Sequence, residues 1–289
     1  MSIKKILKIT GIVVLLVVVG FLGFGGFIYY KAKHGINFYE TEAPELPATL
    51  GENAVLIFSK TNGFRHGAAI EASLPAYQKM AEANGWDLFI TDNGATFNPD
   101  YLKKFKVVVW NNVSGQVLTE EQRKAFRSYV EHGGGFVGIH AAGDGSHKWE
   151  WYEQEVIGAN FSHHPLNPQI QPSSLYLEFD STYAALAEKM PQEWQRADEW
   201  YMFYNNPRDK GFNVLYTLDE ANIVTSGNLS FLIKDKDWGM GEDHPIAWYK
   251  EKGDTRIFYS AMGHTGESFE EDEHLQMLEN AIRWAGKSL

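Results

Sequence analysis

Three short, uninterrupted apolar runs, "AVLIF" at 54–58, "VVVW" at 107–110 and "FVGI" at 136–139, constrain the body of this chain more than any other feature. A strand wetted on one side alternates polar and apolar residues, so runs that are apolar throughout belong to strands covered on both faces. Segments of helical spacing lie between them. Ala68 to Asn84 reads as a helix closed by Gly85, the residue type that most readily takes the left-handed conformation after a helix. Thr119 and Gln122 in "LTEEQ" form a capping-box pattern, and Phe126, Tyr129 and Val130 then recur on one face until Gly133. With "WDLFIT" at 86–91 as a further strand, strand and helix alternate, which predicts a parallel sheet wrapped by helices through right-handed crossovers. Farther on, "NVLYTL" at 213–218 reads as a strand and "PIAWYKEKGDTRIFYSAM" at 245–262 as a hairpin turning at Gly253 and Asp254. Leu275, Leu278, Ile282 and Ala285 mark one face of a closing helix.

From Ile9 to Tyr30 the chain carries 22 consecutive residues without a charge, and about 20 apolar residues cross a bilayer core as a helix. A cleaved secretory signal has a shorter apolar run, roughly 7 to 15 residues, before a small-x-small site. "FIYYKAKHG" offers no such site. Residues 1–33 are therefore read as an uncleaved single-pass anchor with the body outside the cytoplasm, and Tyr29, Tyr30, Lys31 and Lys33 as its interfacial belt. Residues 34–53, with prolines and acids but no apolar periodicity, read as an extended linker. Residues 54–289 read as one domain. The net charge is −11, and the first 33 residues hold five lysines and no acid, which makes the body more acidic still. Such a surface repels a phosphate backbone and argues against a nucleic-acid partner.

In open parallel sheets, ligands bind beyond the carboxyl ends of the strands. Three expected strand ends run into a histidine: "KTNGFRHGAA" into His66, "HAAGDGSH" into His140 and "GHTGES" into His264. One such imidazole would be read as a group satisfied by nearby backbone, whereas three on one rim read as a site. "FSHHP" at 161–165, with His164, and "DEWY" at 198–201, with Glu199, lie in loops that can cover the same rim, and Asp144 follows His140 closely. Trp149, Trp151, Trp200, Tyr201 and Tyr204 could offer aromatic faces to a sugar ring, or simply pack those loops. No G-x-G-x-x-G or P-loop pattern is present, so a nucleotide is not expected. A divalent metal held by several imidazoles and Glu199 is possible chemically, although no fixed-spacing motif such as H-E-x-x-H marks one.

"SKTNGFRH", "GIHAAGD", "GANFSHHP", "DEWY", "HPIAWYKEKGDTRIFYSAMGH" and "AIRWAG", in this order between residues 54 and 286, together resemble the ThuA-like family associated with trehalose utilisation. The resemblance implies a class I glutamine amidotransferase-like fold, that is, a flavodoxin-like parallel sheet flanked by helices. In true amidotransferases the turn after the strand corresponding to "FVGI" bears a catalytic cysteine, whereas this chain has no cysteine at all and places His140-Ala141 there. Amidotransfer through a thioester is thereby excluded. The resemblance points instead to carbohydrate metabolism, with a keto-sugar or its glycoside as substrate and a lyase, isomerase or hydrolase as the activity. In that reading His66 and His140 line the reacting carbon, Glu199 or Asp144 is the base, His264 polarises or protonates, and His164 closes the pocket. The alternative is a sugar-binding or scaffold module that has lost catalysis along with its nucleophile. Redox or acyl-transfer chemistry lacks its cysteine, its nucleotide motif and its G-x-S-x-G.

Overall fold

The computed structural model describes residues 2–34, 37–178, 181–228 and 236–287. In chain order the elements are α1 (Ile3–His34), β1 (Ala54–Phe58), α2 (Gly67–Asn84), β2 (Asp87–Thr91), α3 (Pro99–Leu102), β3 (Val107–Asn111), α4 (Glu120–Glu131), β4 (Gly135–Ile139), β5 (Phe161–His163), β6 (Gln171–Leu177), β7 (Glu193–Asp198), β8 (Met202–Phe203), β9 (Asn213–Leu218), β10 (Pro245–Lys252), β11 (Thr255–Ser260) and α5 (Asp272–Ala285). Local signals place most of their ends. Gly85 closes α2 at φ 69°, the Thr119–Gln122 capping box opens α4, and β10 turns into β11 at Gly253 and Asp254.

Among the described residues, nine strands form one sheet in the order β2-β1-β3-β4-β11-β10-β9-β6-β7, and β5 pairs with β8 in a small second sheet. β2, β1, β3, β4 and β11 run parallel. From β11 onward, β10, β9, β6 and β7 are each antiparallel to their neighbour. The expected parallel, flavodoxin-like sheet is thus found for β2, β1, β3, β4 and β11, but the sheet as a whole is mixed. The tight turn after β10 can join only antiparallel strands, because a parallel return needs a crossover of a dozen or more residues. β6 and β7 carry no continuous apolar run to announce them: "QPSSLYL" and "EWQRAD" bury only some positions, as befits the outer part of a sheet.

β1, β3 and β4 are buried at every position. Trp110, at the end of β3, is the hub on the α4 side, its ring 5.3 Å from Phe126 of α4 and 4.7 Å from Tyr152. Burying aromatic rings of this size is worth about 1.5–3 kcal/mol each before the cost of ordering them, so α4 is held chiefly by its apolar stripe.

α1 is long and apolar enough to cross a bilayer, a test that a signal sequence near the N-terminus passes equally. Residues 37–53 contain neither helix nor strand. The first part of that segment is nonetheless bound to the body. Asn62 donates to the Phe38 carbonyl, Gln122 to the Glu40 carbonyl and Asn93 to the Glu42 carbonyl. The Glu40 carboxylate accepts from Lys60 Nζ and from the Gly94 amide. Residues 60–62, 93–94 and 122 all lie just beyond the carboxyl ends of β1, β2 and β3.

Candidate functional site

The carboxyl end of β4 carries the sharpest turn. Ile139 is extended, and His140 then adopts φ 48°, a conformation uncommon outside glycine that persists only where its surroundings fix it. Its surroundings do. Tyr259 donates to the His140 carbonyl at 2.8 Å, and the tyrosine ring lies so close beneath the turn that a Cβ on Gly143 would sit 2.5 Å from it. Asn112, after β3, donates to the Gly263 carbonyl after β11 and ties the two neighbouring turns together.

His66, His140, Glu199 and His264 meet at this edge, each offering one ligand-capable atom, all within 4.8 Å of one another. His264 Nδ1 stands 3.1 Å from both His140 Nε2 and Glu199 Oε2, and His140 Nε2 is 3.3 Å from Glu199 Oε2. His164 Nδ1 approaches the other carboxylate oxygen at 2.9 Å, which also accepts from Gln169 at 2.6 Å. The ring of His66 lies 4.7 Å from that of His140 and 4.8 Å from that of His264, and its buried Nδ1 has no partner.

Protons can be assigned in part. His140 Nδ1 lies 2.7 Å from the Ala261 carbonyl oxygen, which only accepts, so Nδ1 carries the proton and Nε2 presents a lone pair. The Tyr201 hydroxyl, 3.0 Å away, donates to that Nε2. A neutral His264 can then supply one proton to the triangle formed with His140 and Glu199, where three contacts of 3.1–3.3 Å meet. Positive charge belongs at this point, whether as an added proton or as a cation. Zinc bonds of about 2.0–2.1 Å in a tetrahedron set ligand atoms about 3.3–3.5 Å apart, close to these separations.

The electrostatics agree. Burial alone would push the Glu199 carboxyl up, but the surrounding imidazoles of His140, His164 and His264 override it and hold the group well below the usual carboxylate range. Burial opposes charge on His164 too, yet its contact with Glu199 raises its pKa above the ordinary value. His66 is pushed down to about 2 by burial first and then by the neighbouring imidazoles, and stays neutral.

Asp144 stands apart from this cluster. Its carboxylate accepts from the Ser146 amide and hydroxyl and lies 3.9 Å from His147, and burial raises its pKa. Sequence reasoning overlooked Asp198, which accepts from the amides of Glu199, Gly263 and His264 and from Arg196 and so fixes the turn that carries His264. It also overlooked Gln169, and it read Tyr201 as an aromatic face rather than a hydroxyl donor. The "DEWY" string contained two of these three, whereas nothing in the sequence marks Gln169. An open depression lies at the other end of the strands, around Leu102, Phe105, Tyr129 and His132, and its lining among the described residues includes no carboxylate.

Fold and site together define an α/β protein whose imidazoles and carboxylate converge beyond the carboxyl ends of its central strands. The family model described as trehalose utilisation, ThuA, matches residues 54–285, and the chain belongs to that family. A crystal structure of a ThuA-like protein from Bacteroides uniformis is similar at 27% identity and a TM-score of 0.66, over 84% of this chain and 95% of that one. A second, from Parabacteroides merdae, is similar at 18% identity and a TM-score of 0.59, over 81% of this chain and 89% of that one. No curated protein matches. The family description points to a carbohydrate-related role.

Proposed function

We propose that this protein is a membrane-anchored enzyme with its body outside the cytoplasm, acting on a keto-sugar or its glycoside by proton abstraction beside the carbonyl. The observation that carries the reading is the buried Glu199 carboxylate surrounded by His140, His164 and His264. A carboxylate held so far below its usual range is a poor proton acceptor, since an efficient general base titrates near the working pH. His264 takes the part of the base on geometry: its Nδ1 stands 3.1 Å from Glu199, which stabilises the imidazolium as it forms, leaving Nε2 to receive the proton. The electron pair left on carbon moves to the carbonyl oxygen as an enediolate. Shifting the adjacent hydroxyl proton to that oxygen and returning the abstracted proton at the former carbonyl carbon gives isomerisation. Expelling a β-glycosidic oxygen, which takes its proton from His164, gives elimination. His66 and His140 line the reacting carbon, and Tyr201 holds the His140 ring in place.

A metal-assisted version is favoured by one specific feature, the 3.1–3.3 Å triangle of His140, His264 and Glu199 donor atoms short of protons, with His66 close by. His66, His140, Glu199 and His264 would hold the cation, and a bound divalent ion polarises a carbonyl without proton transfer. Elemental analysis of the purified chain separates the two: stoichiometric zinc, manganese or iron selects the metal version, and none selects imidazolium chemistry. The function itself is tested by incubating the detergent-solubilised chain with a panel of 3-keto-glycosides and following products by mass spectrometry. Isomer or released aglycone is expected. Calorimetric binding of these sugars with no product would leave a sugar-binding module, and neither binding nor product would end the carbohydrate reading.

A further inference from the structure

We propose that the edge of the body bearing the histidine cluster is held against the lipid surface, its mouth turned toward the bilayer. The inference rests on α1 being a retained anchor, as proposed above, but not on the chemistry of the site.

Two independent observations lead to it. The first is the attachment. α1 ends at His34, and Phe38 is already hydrogen-bonded to Asn62 through its carbonyl. Four residues of extended chain span at most about 14 Å. Glu40 then fastens the same segment through its carboxylate to Lys60 and Gly94, and its carbonyl to Gln122. Every one of these anchor points lies beyond the carboxyl ends of β1, β2 and β3, the edge that carries His66 and His140. His66 is four residues on from Asn62, so it lies within about 30 Å of the end of α1 along the chain. A folded body of this length is roughly 45 Å across, and a body fastened at one edge by so short a lead presents that edge to the membrane.

The second is the distribution of exposed apolar groups. Outside α1, the large apolar and aromatic side chains exposed among the described residues gather at this edge: Phe38 in the fastened segment, Phe64 after β1, Leu166 and Ile170 before β6, Tyr204 after β8 and Val224 after β9. Tyr176, inside β6, is the one exception, since Tyr39 belongs to the same fastened segment. β6 runs antiparallel to β9, which places its N-terminal end at the site edge, and β8 belongs to the small sheet beside Tyr201 and His164. A water-facing rim has no use for such a concentration, whereas a headgroup layer accommodates it. The occupant is a lipid surface rather than a protein because α1 already brings that surface within reach. The acidic net charge favours neutral over anionic lipid.

The absence of cysteine makes the test direct. Arg65→Cys, exposed beside the site, and Lys252→Cys, exposed at the β10–β11 turn on the opposite edge, each give a single labelling position. The full chain is reconstituted into phosphatidylcholine vesicles containing an acceptor lipid, and energy transfer from a donor dye is measured. Transfer several-fold stronger from position 65 than from position 252 is expected. With Phe38→Ser and Phe64→Ser introduced together, an environment-sensitive dye at position 65 should lose the blue shift that vesicles otherwise induce. Equal or reversed transfer from a chain that resists alkaline washing overturns the orientation alone, and a chain removed by the wash overturns the anchor with it. Turnover of sugars, tested separately, bears on neither result.

Discussion

Two acidic corners at one end of the sheet behave in opposite ways. At the corner between β7 and β8, Glu199 is crowded by imidazoles and kept ionised against the pull of burial. In the turn after β4, Asp144 is satisfied by Ser146, and burial raises its pKa instead. Both are acids within a few residues of a strand end. Proximity in sequence to a catalytic-looking histidine therefore says little about role, because what matters is which charges face the carboxylate once the chain has folded.

The comparison can be broken most directly by activity. Glu199→Gln should lower turnover by about 10²–10⁴-fold, the range for groups that move or stabilise protons, while Asp144→Asn should leave it within a few-fold. Similar losses in both variants would abolish the distinction. Asp198 sharpens it, since this neighbour of Glu199 is buried, paired with Arg196 and bonded to three amides. Removing one partner of a buried pair typically costs about 3–5 kcal/mol, so Asp198→Ala should show a large drop in denaturant midpoint, and an unchanged midpoint would refute its structural role.

pH separates the corners by sign. Glu199 has a lowered folded-state pKa, so its contribution to stability is present above its unfolded value near 4.5 and is lost as pH falls below that. Asp144 has a raised one, so ionising it near neutrality opposes folding, and Asp144→Asn should match or slightly exceed the wild type in stability at pH 7. The smallest effect concerns His164. Its raised pKa means that its stabilisation is complete below 6.5 and disappears as pH rises through the folded-state value. NMR titration should place His164 above 6.5 in the wild type and below it in Glu199→Gln, where burial would act unopposed; an unmoved titration would deny the contact its influence.

Much of the fold was legible because its signals are local. Continuous apolar runs located β1, β3 and β4, Gly85 and the Thr119 capping box set helix ends, and the Gly253–Asp254 turn fixed a hairpin. β6 and β7 were not legible, since half-polar strands are recognised only by their partners. The same divide runs through the site. Strand-end histidines could be picked out at 66, 140 and 264, and acids and imidazoles in the covering loops at 164 and 199. Gln169 and the Tyr201 hydroxyl gained their parts only from what stands opposite them.

The sequence by itself determined a covered central sheet, an apolar N-terminal helix, the absence of any thiol nucleophile and the residue types available for chemistry, because periodicity and side-chain identity act over a few neighbouring positions. Tertiary structure alone decided that β9, β6 and β7 continue the sheet beyond the hairpin, that Glu199 rather than Asp144 faces the imidazoles, and that the segment around Glu40 is fastened to the site edge. Each of those depends on contacts between residues dozens of positions apart, whose geometry and electrostatic fields exist only when the chain is closed around them.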